Sequence, residues 1–124
     1  MAGPQKILVV DDERLIQRVT RFILERAGYS VQVAADGKEA LQLARELRPG
    51  LILLDIQLPQ MDGFDVLAIL RQNQETQNIP VVLMSALAEA TDRARGQQLG
   101  AAEYLTKPFE APDLLACVTR HIRS

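Results

Sequence analysis

Ile7-Leu8-Val9-Val10-Asp11-Asp12 decides the reading of this chain: four apolar residues, three of them β-branched, run straight into two carboxylates. An apolar run of that length with no polar alternation is the pattern of a strand buried on both faces, as in a parallel sheet covered by helices. Three later runs repeat it. Leu51-Ile52-Leu53-Leu54 ends on Asp55, Val81-Val82-Leu83-Met84 on Ser85, and Tyr104-Leu105-Thr106 on Lys107-Pro108. Ligands of open α/β sheets bind just beyond the carboxyl ends of the strands. Three carboxylates, a hydroxyl and an ammonium are therefore expected in one pocket. The carboxylates outnumber the ammonium, and a divalent cation would neutralise the excess, so a Mg²⁺-dependent phosphoryl site is the first expectation.

Between the strands the apolar period changes to that of helices, which makes a βαβ series and an α/β fold with a doubly wound parallel sheet. Five such units fill the 124 residues, enough for one domain, 1–124, with a substantial core. After Lys6 to Val10, a helix from about Glu13 to Ala27 presents Ile16, Val19, Thr20 and Ile23 and stops at Gly28. Tyr29 to Ala34 is the second strand. Asp36 and Glu39 start a second helix in the manner of a capping box, with Ala40, Leu43, Ala44 and Leu47 inward and Pro49-Gly50 as its stop. Leu51 to Asp55 leads through a long loop, in which Pro59 and Gly63 are expected to hold the backbone, into a helix with Val66, Leu67 and Leu70 inside. Val81 to Ser85 precedes a helix from about Ala88 to Leu99 that offers only small residues such as Ala90 and Ala94, and is expected to be the least firmly anchored. Glu103 to Thr106 and a helix with Pro112 near N1 and Leu114, Leu115, Val118 and Ile122 inward complete the series.

Fourteen basic and 16 acidic residues give a net charge of −2, with no basic run to follow a phosphate backbone, so nucleic acid is not an expected direct partner. The single cysteine, Cys117, has no internal partner for a disulfide. There is no charged-then-apolar opening and no apolar run near the roughly 18 residues of a membrane span, which points to a reducing, cytoplasmic setting. Lysine is scarce, only Lys6, Lys38 and Lys107 beside eleven arginines, so a lysine at a strand end invites a chemical reason.

Hard cations take oxygen ligands and keep several waters, and Asp12 and Asp55 are the direct ligands expected of such a site. A carboxylate can also attack phosphorus to give an acyl phosphate if its charge is screened. Lys107 and Ser85 are then the electrophilic partners that meet charge on the equatorial oxygens.

Val9-Val10-Asp11-Asp12-Glu13, Leu54-Asp55-Ile56-Gln57-Leu58-Pro59 with Met61-Asp62-Gly63, Met84-Ser85-Ala86, and Tyr104-Leu105-Thr106-Lys107-Pro108-Phe109 together resemble the receiver domain of two-component response regulators, of the chemotaxis-regulator-like kind. The likeness spans the whole chain in order. It implies a flavodoxin-like (βα)5 domain with strand order 2-1-3-4-5, an order that comes with the resemblance, since the apolar pattern alone leaves it open. It implies a phosphorylatable switch in a two-component system or phosphorelay, an enzyme only in self-phosphorylation from a donor and in autodephosphorylation. Asp55 would be the phosphoacceptor, and Asp12, Asp55 and the Gln57 carbonyl would bind Mg²⁺, or Mn²⁺ in its place, with Asp11 assisting through water. Ser85 takes the hydroxyl position, Tyr104 the aromatic switch position, and Lys107 the phosphate-binding position, with a bond to Pro108 that the family usually keeps cis. Pro59, Gly63 and Ala86 shape the surroundings. Implied partners are a sensor histidine kinase or histidine phosphotransfer protein, and a downstream protein or fused output domain reached through the surface of the fourth helix, fifth strand and fifth helix. Cys117 and Thr119 stand where regulators with winged-helix domains commonly carry arginines for a dimer face, so a monomer or weak dimer is expected. The segment Gln72 to Pro80, with Thr76 and Ile79-Pro80, resembles stand-alone receivers and those attached to kinases.

Other classes fit the residues less well. An Asp-x-Asp phosphatase needs a carboxylate where Gln57 stands, and a flavin carrier needs a hydroxyl- and glycine-rich loop where Asp11-Asp12-Glu13 would repel phosphate. A degenerate receiver serving only as a binding module would lack a functional group, and none is missing. Arg14, Arg18 and Arg21 read as a solvated stripe, His121 as a complement to a helix dipole, and Cys117 as a small, partly buried helix residue.

Overall fold

The computed structural model describes residues 3–86 and 89–123. Five strands alternate with five helices: β1 (Lys6–Val10), α1 (Arg14–Arg26), β2 (Ser30–Ala34), α2 (Gly37–Leu47), β3 (Leu51–Asp55), α3 (Gly63–Gln72), β4 (Val81–Ser85), α4 (Ala90–Gln98), β5 (Glu103–Thr106) and α5 (Ala111–His121). All strand pairs are parallel, in the order β2-β1-β3-β4-β5. The expected order and elements are those observed, with helix ends shifted by a residue or two; Ala88, the expected start of the fourth helix, lies outside the described residues.

Side-chain alternation divides the central strands between two cores. Leu8, Val10, Ile52, Leu54, Val81 and Leu83 face α2 and α3, meeting Ala40, Ala44, Phe64, Val66, Leu67 and Leu70. Ile7, Val9, Leu51, Leu53, Val82 and Met84 meet Leu24 of α1 and Leu114, Cys117 and Val118 of α5. Both faces of β3 and β4 are thus buried throughout, the condition that unbroken apolar runs satisfy.

Four local expectations change. In α1 the buried residues are Thr20 and Leu24, while Val19 is 46% exposed and lines up with Leu15 and Phe22, 70% and 61% exposed. The helix carries two apolar stripes, and only the one that meets the sheet could be buried. α2 ends at Arg48, which itself takes the left-handed conformation at φ 45°, before Pro49-Gly50. At its start Asp36 caps the Glu39 amide at 2.8 Å, while Glu39 reaches back to Ala35 rather than to Asp36. In α5 Cys117 is wholly buried, whereas Leu115 and Ile122 are only partly so. Gly28 does end α1 with φ +99°.

α4 buries only Gly96, and both Ala90 and Ala94 are exposed. A methyl at Gly96 would lie 2.5 Å from Leu83 Cδ1, so the helix rests on β4 through backbone and not through an apolar stripe. The 73–80 segment is held by Arg71, whose guanidinium donates to the carbonyls of Gln77 (3.1 Å), Ile79 (2.9 Å) and Gly100 (3.0 Å). Buried Thr76 donates to the Leu70 carbonyl at 2.7 Å.

Candidate functional site at the strand ends

Strand register builds the site. Val10 pairs with Leu54, so the next residues, Asp11 and Asp55, leave the sheet side by side, and Asp55 itself pairs with Met84. Ser85 pairs with Thr106, and the Lys107 amide donates to the Ser85 carbonyl at 2.8 Å, which sets the lysine at the same edge. The Lys107-Pro108 bond is cis.

Lys107 bridges the two buried carboxylates: its Nζ donates to Asp11 Oδ2 at 2.5 Å and to Asp55 Oδ2 at 3.0 Å. The remaining oxygens are tied to the chain, Asp11 Oδ1 accepting from the Glu13 amide at 2.9 Å and Asp55 Oδ1 from the Gln57 amide at 3.0 Å. Both carboxylates are therefore fixed in direction by one backbone bond and one shared ammonium. Asp12 is exposed, and the oxygens of Asp11, Asp12 and Asp55 come within 4.8 Å of one another. Asp11 is thus the inner, lysine-paired member and Asp12 the outer one.

Burial raises the pKa of Asp55 above the usual carboxylate value, against the Gln57 amide and the Lys107 ammonium that pull it down. For Lys107 burial alone would favour the neutral amine, yet the bonds and charges of Asp11 and Asp55 prevail and raise its pKa. The ammonium stays charged at neutral pH.

The loop after Asp55 returns to the strand end: the Gly63 amide donates to the Ile56 carbonyl at 2.7 Å. A Cβ at Gly63 would collide with the Asp55 carbonyl oxygen and lie 2.7 Å from Ile56 Cα. Glycine is needed for close approach, and the positive φ of this loop falls instead on Gln60 at 69°. Pro59 and Ala86 are exposed at the rim.

Ser85 is wholly buried, and a side-chain hydrogen bond joins it to Tyr104, whose hydroxyl is made less acidic chiefly by burial. Arg93 of α4, not singled out from sequence, lies over the Tyr104 ring at 4.8 Å and donates to Thr106 Oγ1 at 2.7 Å. It links the weakly packed helix to the strand that carries Tyr104 and leads directly into Lys107. The exposed row Leu15, Val19 and Phe22 begins one turn after Asp11-Asp12; its i, i+4, i+7 spacing was the available signal. His121 does not merely complement its helix end, because Nε2 meets Glu103 Oε1 at 2.7 Å.

Among the described residues no helix is long and apolar enough to cross a membrane. Residues 7–119 match the family described as the response regulator receiver domain. The chain is 43% identical over 118 residues to the DNA-binding dual master transcriptional regulator RpaA of Synechocystis, covering 95% of this chain and 49% of the relative. It is 34% identical over 119 residues to protein PilG of Pseudomonas aeruginosa, covering 96% and 88%. This chain thus spans about half the length of most of the curated relatives it matches. Among solved structures, chemotaxis protein CheY4 of Vibrio cholerae superposes with a TM-score of 0.92 at 32% identity, over 97% of this chain and all of that one. The receiver domain of sensor histidine kinase PA1611 from Pseudomonas aeruginosa, solved with a magnesium ion coordinated in its active-site cleft, superposes with a TM-score of 0.89 at 35% identity, over 99% and 100%. Motifs, strand order and these likenesses agree along the chain, which belongs to the response regulator receiver domains of two-component signalling.

Proposed function

We propose that the protein is a phosphorylatable switch in which Asp55 accepts a phosphoryl group from a phosphohistidine of a sensor histidine kinase or histidine phosphotransfer protein. The observation that carries this reading is the Lys107 ammonium shared between Asp11 and Asp55 beside an outward Asp12. An Asp55 oxygen attacks phosphorus as the P–N bond breaks, and the bond's electron pair returns to the imidazole, which takes up a proton. Asp55 is held for this by the Gln57 amide and Lys107, and its raised pKa marks a carboxylate that burial keeps poorly solvated. Lys107 meets the growing negative charge on the phosphoryl oxygens.

The donor set fits a hard divalent cation: three carboxylates converge within 4.8 Å against one ammonium. Asp12, Asp55 and the Gln57 carbonyl would hold Mg²⁺, or Mn²⁺ in its place, with Asp11 behind them. Such an ion supplies charge neutralisation for the incoming phosphoryl group. With every functional group present, a phosphorylation-independent binding module has no support.

Leu15, Val19 and Phe22 give the phosphodonor an apolar landing beside the cleft. Output runs the other way. Ser85 leaves Tyr104 for the new phosphate, and a charge-assisted bond of roughly 1.5–3 kcal/mol is enough to shift populations by one to two orders of magnitude. Arg93, stacked on Tyr104 and bonded to Thr106, transmits that change to α4, which packing holds least. Downstream partners are a protein target or a fused output domain, and the chain acts in the cytoplasm as a monomer or weak dimer. Labelling with acetyl phosphate tests the reading: Mg²⁺-dependent label on Asp55 is expected, and label that persists in Asp55→Asn or in excess chelator overturns it.

A further inference from the structure

At the other end of β5 from Lys107, four residues and about 13 Å away at strand spacing, a second group of donors converges. Glu103 opens the strand, and Cys117 and His121, one turn apart, share a face of α5. Glu103 Oε1 lies 2.7 Å from His121 Nε2, and the ligand atoms of all three residues are within 4.8 Å of one another. The donors differ in kind from those of the acidic cleft: one thiol, one imidazole, one carboxylate. Oxygen-seeking Mg²⁺ does not select such a set, whereas Zn²⁺ takes sulfur, nitrogen and oxygen in a tetrahedron.

We propose that Glu103, Cys117 and His121 bind a zinc-class divalent ion through a carboxylate oxygen, Sγ and Nε2, with the fourth position open to solvent. Ordinary bond lengths in a tetrahedron require about 3.6 Å between sulfur and nitrogen and about 3.4 Å between nitrogen and oxygen. The imidazole and carboxylate, now 2.7 Å apart, separate by under 1 Å, and the thiol, within 4.8 Å of both, has at most about 1.2 Å to close. Arg120 competes for the same carboxylate, at 2.9 Å to Oε1 and 2.7 Å to Oε2, but its side chain is 53% exposed. It gives up Oε1 and keeps Oε2, orienting the carboxylate from outside as partners of metal ligands do. Binding releases the Cys117 thiol proton to solvent and leaves the thiolate on the ion. The ion would pin α5 to β5, on the face through which the receiver addresses its output. Nothing in this placement depends on phosphorylation at Asp55.

Cobalt(II) is the probe, added to the full metal-free chain with Mg²⁺ in excess to occupy the acidic cleft. A thiolate-to-cobalt charge-transfer band in the near ultraviolet is expected, saturating near one equivalent and abolished by zinc. Cys117→Ser should remove it, and His121→Asn, at a position whose side chain is 24% exposed, should weaken binding at least about tenfold while circular dichroism reports an unchanged fold. No band in the wild-type protein, or an unaltered titration in His121→Asn, overturns the proposal.

Discussion

Lys107→Met isolates what the bridging ammonium does, since methionine keeps a long apolar stem without the charge. Its Nζ is held by Asp11 Oδ2 and Asp55 Oδ2, whose side chains are 0% and 5% exposed. Without it, two buried carboxylates face one another with oxygens within 4.8 Å. At an effective dielectric constant of ~20, unit charges at that separation repel by about 3.5 kcal/mol. A loss of about 3 kcal/mol is expected in metal-free neutral buffer, at the low end for breaking a buried pair. For 124 residues the unfolding entropy is about 0.26 kcal/mol/K, so the midpoint should fall by about 11 °C. The pH dependence has a definite sign. Asp55 already has a raised pKa, chiefly from burial, and losing Lys107 raises it further. A carboxyl raised in the folded state costs stability above that pKa, so the deficit is full at neutral pH and shrinks on acidification. Lys107, itself raised, stabilises the wild type below its ordinary value of 10.5, and this contribution disappears as pH rises through the folded pKa. Urea unfolding followed by circular dichroism, in chelator and across pH, reads both effects. Asp55→Asn added to Lys107→Met should restore most of the loss, and Mg²⁺ at 100 times its Kd should return about 2.7 kcal/mol. A variant within about 0.5 kcal/mol of wild type in chelator, or one that Asp55→Asn does not rescue, refutes the electrostatic account.

Phe22→Ala, at a 61% exposed position, should change stability by less than about 0.5 kcal/mol yet slow phosphotransfer from a histidine donor at least about tenfold. Labelling from acetyl phosphate should be unchanged, and parallel assays with the two donors separate these outcomes. Gly63→Ala forces a methyl against Asp55 and Ile56 backbone atoms and should cost about 3 kcal/mol in urea unfolding, while lowering the acetyl phosphate labelling rate through the displaced Asp55. Arg71→Ala removes donors from three carbonyls and should cost about 2 kcal/mol, with hydrogen exchange accelerating across 73–80 and at the α4–β5 turn.

Local pattern was enough for the strands and for what stands at their ends. An unbroken run such as Leu51 to Leu54 satisfies a parallel sheet and little else, and placing Asp55 one residue beyond it required no knowledge of distant contacts. The motif residues then carried the family and, through it, the strand order. Other features depended on what lies opposite. α1 has two apolar stripes, and periodicity cannot tell which one meets the sheet; packing buried Leu24 and left Val19 outside. Gly63 reads as a turn residue in the sequence, but its need for glycine comes from the backbone of Asp55 and Ile56 across the loop. Neither the hold of Arg71 on three carbonyls nor the meeting of Glu103 with His121, 18 positions apart, has a sequence period to announce it. The unequal burial of the acidic pair was also hidden: Asp11 and Asp12 are neighbours in the chain, yet one is buried on Lys107 and the other faces solvent. Element identity follows from short-range periodicity that each segment carries within itself, whereas the choice of face, the close backbone approach and the pairing of charges exist only once separate segments occupy the same space.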